Sequence, residues 1–404
     1  MKKILLLLVL FVANTTIKAQ NGCTDTYASN YNINANVNDG SCIYNSANAT
    51  INTSTILNQN VIETSGLIDW NNYLYTLNDD TDTTIYKLNK ISGAVVQSLP
   101  LNTIQNIDWE EISQDENYIY IGDFGNNATG NRTNLKIYKI RKSTIETVPE
   151  IETINFNYSN QTDFTAQPAN QTDFDCEAFV VTTNEILLFT KQWVSGNTAI
   201  YSLPKTSGSH TANFLTTINV TGLVTGATLK EDSRLISLCG YSTTLQPFIF
   251  LIYDYIGTDF TIANKRKIAI PLPYHQIEAI STNNGLDYNL TNESLIQPPI
   301  FNIPQKLHQL SLAPYLSNYL NSISLNTIQF PNDNVILYPN PSENEINFSK
   351  FDLSNDDYQI MDLNGKIVGT GKIYNNKIST LALEKGMYLL KILSSNKVFK
   401  IIKK

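Results

Sequence analysis

Apolar positions in this chain come in short runs of period two, separated by clusters of Asn, Gly, Thr and Asp, which predicts strands and turns. The runs recur as a set. One unit passes from Ile62-Glu63-Thr64-Ser65-Gly66-Leu67-Ile68 through Tyr73-Leu74-Tyr75-Thr76-Leu77 to Thr84-Ile85-Tyr86-Lys87-Leu88. A second begins at Asp108-Trp109-Glu110-Glu111-Ile112, a third at Asp175-Cys176-Glu177-Ala178-Phe179, a degenerate fourth at Thr225-Gly226-Ala227-Thr228-Leu229 and a fifth at His275-Gln276-Ile277-Glu278-Ala279-Ile280. The shortest spacing, Glu63 to Glu110, is 47 residues, and the longest, Glu110 to Glu177, is 67. A sheet this small cannot bury both faces alone, so units of this period are expected to stack around an axis as propeller blades. Stacked helix pairs are excluded, because no helical run of length is predicted. Five blades are visible. A sixth would fit in the longest interval, or the run from Ala49 to Val61 would supply the strand that closes the ring.

The last seventy residues form a separate strand pattern. It runs from Asn334-Val335-Ile336-Leu337-Tyr338-Pro339-Asn340-Pro341 through Gly386-Met387-Tyr388-Leu389-Leu390-Lys391-Ile392 to Ile401-Ile402-Lys403-Lys404, with turn signals at 339–342, 362–365 and 385–386. It resembles the type A C-terminal sorting domain read by the type IX secretion system of Bacteroidetes. The resemblance implies a small β-sandwich, recognition by that secretion machinery, and delivery to the outer-membrane surface or the medium after Sec export to the periplasm. At the other end, Lys2 and Lys3, the apolar run Ile4 to Val12 and Ile17-Lys18-Ala19-Gln20 read as a signal peptide. The run is too short to span a bilayer, and no later one is long enough, so no transmembrane segment is expected in the mature chain. The resulting organisation is a signal peptide over 1–20, a small module over 21–48, a propeller over 49–325, a linker over 326–334 and the sorting domain over 335–404.

Composition narrows the partners. The net charge is −8 and only 16 % of residues are charged. No basic stripe exists to neutralise phosphates, so nucleic acid is not an expected ligand.

Cys23 and Cys42 bracket an Asn-rich segment too small to hold a core, and in an oxidising compartment a disulfide between them is the expected way to order it. Such a bridge contributes roughly 3 kcal/mol on the chain-entropy account. Within it, Asn34, Asn36, Asn38 and Asp39 lead into Gly40 with the alternation of a calcium loop. The competing reading is an Asn/Gly turn locked by the disulfide, since amides are weak ligands and the bidentate glutamate of an EF-hand is missing. Cys176 and Cys239 lie in or beside apolar strands of different units and read equally as two buried thiols or a second bridge.

The repeats carry one feature with chemical content. Glu63, Glu110, Glu177 and Glu278 open the first strand in four units, and Thr225 fills that place in the fifth. Asp108 and Asp175 precede two of them, while Asp123, Lys191 and Glu293 fall near the ends of second strands. First strands line a propeller channel, so these groups are expected at one channel mouth. Converging carboxylates repel, and a hard cation, calcium being the candidate, or protonation relieves the repulsion. A structural alternative is that each glutamate accepts hydrogen bonds from backbone amides of the next blade and ties the ring. His275, beside Glu278, reads as a hydrogen-bonded junction residue before a general base. No G-x-S-x-G, H-E-x-x-H, C-x-x-C or phosphate-cradling loop is present.

The repeat resembles secreted bacterial propellers with D-W-E-D-I and G-D-x-G-N-N signatures, here Asp108-Trp109-Glu110-Glu111-Ile112 and Gly122-Asp123-Phe124-Gly125-Asn126-Asn127. The resemblance covers the propeller and implies fold, with no settled activity. The leading expectation is therefore an exported binding or scaffold propeller for an unknown extracellular ligand. The alternative is a calcium-dependent hydrolase of the phosphoesterase or lactonase kind, working at the channel mouth.

Overall fold

A computed structural model describes residues 20–326, 337–348, 356–362, 365–393 and 398–404. The signal-peptide assignment, apart from Gln20, and most of the 326–334 linker lie outside the described residues. The chain divides into two compact units at Asn321–Ser322.

The first unit is a five-bladed propeller. Blade one holds strands Thr64–Trp70, Tyr73–Asn78, Thr84–Asn89 and Val95–Pro100, and blade two holds Trp109–Gln114, Tyr118–Asp123, Lys136–Arg141 and Ile151–Tyr158. Blade three holds Cys176–Val181, Glu185–Thr190, Thr198–Pro204 and Gly208–Ile218, and blade four holds Leu223–Lys230, Leu235–Tyr241, Pro247–Tyr253 and Asn264–Ala269. Blade five takes Ile277–Ser281, Asp287–Asn292 and Lys306–Ser311 from its own segment and its outer strand, Thr50–Ile56, from the start of the ring. That borrowed strand closes the circle, so the run from Ala49 onward completes the fifth blade and no sixth forms. The extra length of the longest interval goes into the irregular stretch that precedes Cys176.

Packing explains why the blades form a ring. Each first strand packs against the first strands of both neighbouring blades, and separate apolar clusters fill the interfaces between blades one and two, two and three, three and four, four and five, and five and one. A blade alone would leave two such faces wet. At the rim, Ile151–Tyr158 pairs in parallel with Gly208–Ala212, the first half of blade three's long outer strand, and merges the two blades into an eight-stranded sheet. Two exposed edges are thereby covered.

A helix, Ala313–Asn326, follows blade five where no helix was expected. Its Asn and Ser content hides the pattern, yet Leu316 and Leu320 stand four apart and pack against the interface of blades four and five. The N-terminal module is closed by the Cys23–Cys42 disulfide. It is bolted to blade four by Asp25, whose Oδ2 accepts from Tyr44 Oη (2.8 Å) and from Tyr253 Oη, and by Asn38, whose amide donates to Asp254 Oδ2 (3.2 Å) and Asn264 Oδ1 (3.0 Å). Cys176 and Cys239 are buried free thiols.

In the second unit, Leu337–Tyr338, Glu345–Phe348 and Lys377–Ser379 form one sheet. Asp357–Met361, Ile367–Lys372, Gly386–Ile392 and Val398–Lys403 form the other. Ile346, Phe348, Ile360, Ile378, Leu390 and Ile401 are its core, as the alternating pattern requires.

Candidate functional site

Every first strand carries a β-bulge at its start. The unpaired residue is Gly66 in blade one, Glu110 in two, Glu177 in three, Thr225 in four and Glu278 in five. A bulge re-aims the extra side chain, and here it sends three glutamates to one end of the channel. The bulge also corrects the sequence alignment. Glu63 is not the equivalent of Glu110; Gly66 is, and Glu63 lies three residues earlier, ahead of the strand. Gly66 has φ +66°, and a Cβ there would come within 2.4 Å of the Ile112 nitrogen, so no glutamate fits the position.

Register sorts the second-strand candidates too. Lys191, Tyr241 and Glu293 each lie one residue beyond the partner of the residue preceding the bulge, in blades three, four and five. Asp123 is one residue out of step with them, opposite Trp109 itself. Its Oδ1 pairs with Arg132 (2.8 Å), and its fully buried Oδ2 has no hydrogen-bond partner.

The groups at this mouth sense one another. Lys191 Nζ lies 3.1 Å from Glu177 Oε2 and donates to Tyr241 Oη at 3.3 Å. Burial and the charge of Glu177 and Asp108 push Glu110 well above the usual carboxylate range. Burial likewise raises Glu177, against the pull of Lys191, while the carboxylates around Lys191 outweigh its burial and hold the ammonium charged. Asp175 shares a hydrogen bond with Glu177 and accepts from the Asn126 amide (2.5 Å) and from Trp193 Nε1 (2.7 Å). Asp108, pushed up to about 6 by burial and Asp175, is held back by Arg132, 3.8 Å away. Gly125 is pressed against this pair: a Cβ would meet Glu110 Oε1 at 2.0 Å and the Asp108 carboxyl at 2.5 Å.

One member was missed from the sequence. Asp79, just past the second strand of blade one, is pushed up to about 7 by burial and by Glu278 and Glu63. Glu293, expected at this mouth, is raised well above its usual value by burial and by Glu278, and its Oε1 accepts from Gln276 Nε2 (3.0 Å). Carboxylate oxygens of Glu63, Asp79 and Glu293 all lie within 4.8 Å of one another. The acidic run Asn78-Asp79-Asp80 at a strand end was the available signal.

Among the described residues, no backbone amide donates to the side chains of Glu110, Glu177 or Glu278, so the interblade tie expected of them is made elsewhere. Glu111 makes it. Its carboxylate is fully buried on the channel axis, with Oε1 accepting from the Ile112 amide (3.0 Å) and Oε2 from the Ala227 amide of blade four (2.8 Å). Burial pushes Glu111 well up, and the amides of Ala227, Ile112 and Leu67 oppose that shift. Its signal was the second of two successive glutamates in an apolar strand.

The N-terminal candidates spend their oxygens locally. Asn36 Oδ1 accepts from the Gln20 amide, Asn38 Oδ1 from Gly40 and Asp39 Oδ1 from Ser41. Asn34 differs: its backbone amide donates to Asn32 Oδ1 (3.0 Å). His275 lies beside His308, with ring centroids 5.6 Å apart, and burial lowers its pKa.

Residues 336–404 match the family described as secretion system C-terminal sorting domain. No curated protein matches the chain. Among solved structures, the chain is similar to PorZ, a surface component of the type IX secretion system of Porphyromonas gingivalis, at 12 % identity and a TM-score of 0.31. The match covers 84 % of this chain and 45 % of PorZ, so the chain spans less than half of that protein's length. It is also similar to the extracellular domain of a putative one component system from B. thetaiotaomicron, at 11 % identity and a TM-score of 0.29 over 89 % of this chain and 60 % of that one. The RRP9 WD40 repeats match at 9 % identity and a TM-score of 0.36, over 65 % of this chain and 99 % of theirs. The fold itself rests on the strand pairing described above. No helix among the described residues is long and apolar enough to cross a membrane. With a secretion system C-terminal sorting domain over 336–404, the chain is an exported protein, addressed to the cell surface or the extracellular space.

Proposed function

We propose that this exported propeller is a binding protein that holds a hard divalent cation, calcium by preference, at the acidic mouth of its channel. The observation that carries the reading is the convergence of Glu63, Asp79 and Glu293 within 4.8 Å. Three carboxylates this close cannot all ionise without a counter-charge. Lys191 answers Glu177 on the other side of the mouth and leaves this trio without a cation of its own among the described ion pairs. Oxygen-only ligands of this kind suit calcium or magnesium over softer metals. A bound ion would also give an extracellular ligand a polar anchor at the mouth.

The same cluster supports a second reading, cation-assisted hydrolysis. A cation held by Glu63 and Glu293 would polarise a phosphoryl or carbonyl oxygen, with the Asp79 carboxylate beside it as a general base.

Calcium titration of the mature chain by calorimetry and thermal denaturation tests the binding reading. Calcium should raise the melting temperature by mass action, and Asp79→Asn with Glu293→Gln should remove the shift. Absence of any shift, or a shift that survives both substitutions, would overturn it. Hydrolysis of p-nitrophenyl phosphate or of a simple lactone that depends on calcium and on Asp79 would select the enzyme.

A further inference from the structure

The far end of the channel holds a second, chemically different site. Where the first strands end, the turns of blades one, two, four and five surround a cavity of about 680 Å³, a volume typical of small-molecule pockets. Leu67, Ile112 and Ala227 line it, and the amides of these three residues face Glu111 on its other side. The cavity and the acidic mouth are therefore separate compartments.

Five of its charged groups are paired, and the other two are hydrogen-bonded. Lys90 pairs with Asp69, Lys230 with Asp232 (2.9 Å) and Asp115 with Lys205 (3.1 Å). Lys142 donates to Gln114 Oε1 (2.8 Å) and the Asp115 carbonyl (2.6 Å), and Glu231 accepts from the Thr183 amide and hydroxyl. A charged ligand would have to break one of these pairs. The neutral groups on the wall are in the opposite state. The side chains of Asn71, Asn72, Ser113, Thr228 and Asn283 line the cavity and make no side-chain hydrogen bond among the described residues. Ser281, 2 % exposed, also lines it, and its Oγ is buried with no partner. Trp70 lines the cavity too, with Lys142 Nζ 5.1 Å from its ring centroid.

We infer that this cavity binds a neutral oligosaccharide, whose hydroxyls would satisfy the idle amides and hydroxyls and whose C–H faces suit the Trp70 ring. A ligand of two to four sugar rings is of the right order for the volume.

The test is calorimetry on the mature chain with cellotriose, maltotriose, xylotriose and mannotriose, set against trigalacturonate and chitosan trimer as charged probes. At least one neutral trisaccharide should bind, with both charged probes weaker. Asn283→Ala and Ser113→Ala should each weaken it by about tenfold, one hydrogen bond's worth. Asn283→Ala should leave the melting temperature unchanged, because Asn283 is exposed; this separates loss of a ligand contact from loss of fold. Glu293→Gln, at the other mouth, should leave sugar affinity intact. The inference is overturned if no neutral trisaccharide binds, if a charged probe binds more tightly, or if affinity survives Asn283→Ala and Ser113→Ala together.

Discussion

Glu111 of the second blade accepts a 2.8 Å hydrogen bond from the amide of Ala227 in the fourth, a blade that is not its neighbour in the ring. The contact crosses the channel. One side chain thereby ties opposite walls of the propeller, between an acidic end and an end where both charge signs line the cavity.

Removing that tie should be costly. Glu111→Ala leaves the Ala227 and Ile112 amides buried without acceptors, and at about 1–3 kcal/mol for each unsatisfied group the loss should reach several kcal/mol. Glu110→Gln, one residue away, should be neutral or stabilising, because it removes a buried charge that its neighbours oppose. Urea unfolding of the two variants checks the contrast, and equal effects would contradict it.

Stability should depend on pH through the acidic mouth. Asp79 has a folded pKa of about 7 against 3.8 for the free side chain, so the folded state holds a proton that the unfolded chain has released. Its contribution is full below about pH 4, declines as pH rises, and is lost above about 7. Without calcium, the melting temperature should fall across that window. Asp79→Asn should flatten the fall, and calcium should restore stability at pH 8 far more than at pH 5. Melting curves over this range, with chelator and with calcium, provide the measurement.

The N-terminal module should depend on its disulfide. With Cys23→Ser and Cys42→Ser, the chain-entropy constraint of roughly 3 kcal/mol disappears, and residues 20–48 are held on blade four by non-covalent contacts alone, those of Asp25, Asn38, Tyr44 and Ala47 among them. Limited proteolysis should then cut the module while sparing the blades. Resistance equal to that of the parent would mean that docking alone orders it.

Export should require the tail. Deleting residues 336–404 should leave a folded propeller in the periplasm, because the proposed leader still acts while the outer-membrane step has no address. Fractionation with an antibody to the propeller reads this out, and undiminished surface or extracellular protein would refute it.

Much of the architecture is local and so was legible. Short apolar runs bounded by turn residues, such as Tyr73 to Leu77 and Phe248 to Tyr253, become strands buried on both faces between blades, and the sorting domain shows in its own strand-and-turn pattern. Repetition set the blade period. The acidic character of one mouth was visible in Glu110, Glu177 and Glu278, which share a register.

What only tertiary structure decided are relations between distant segments. Blade number depended on Thr50–Ile56 reaching Lys306–Ser311, a pairing across most of the chain. The exclusion of Glu63 from the common register rested on strand pairing, which puts Gly66, three residues later, at the bulge position that Glu110, Glu177 and Glu278 hold in their blades. Asp79 joined the site, and Asp123 turned to Arg132, because a shift of a single residue along a strand reverses the face a side chain meets. Glu111 looked like its neighbour Glu110. Its role follows from an amide 116 residues away, and a strand's own sequence cannot encode what packs across the axis from it.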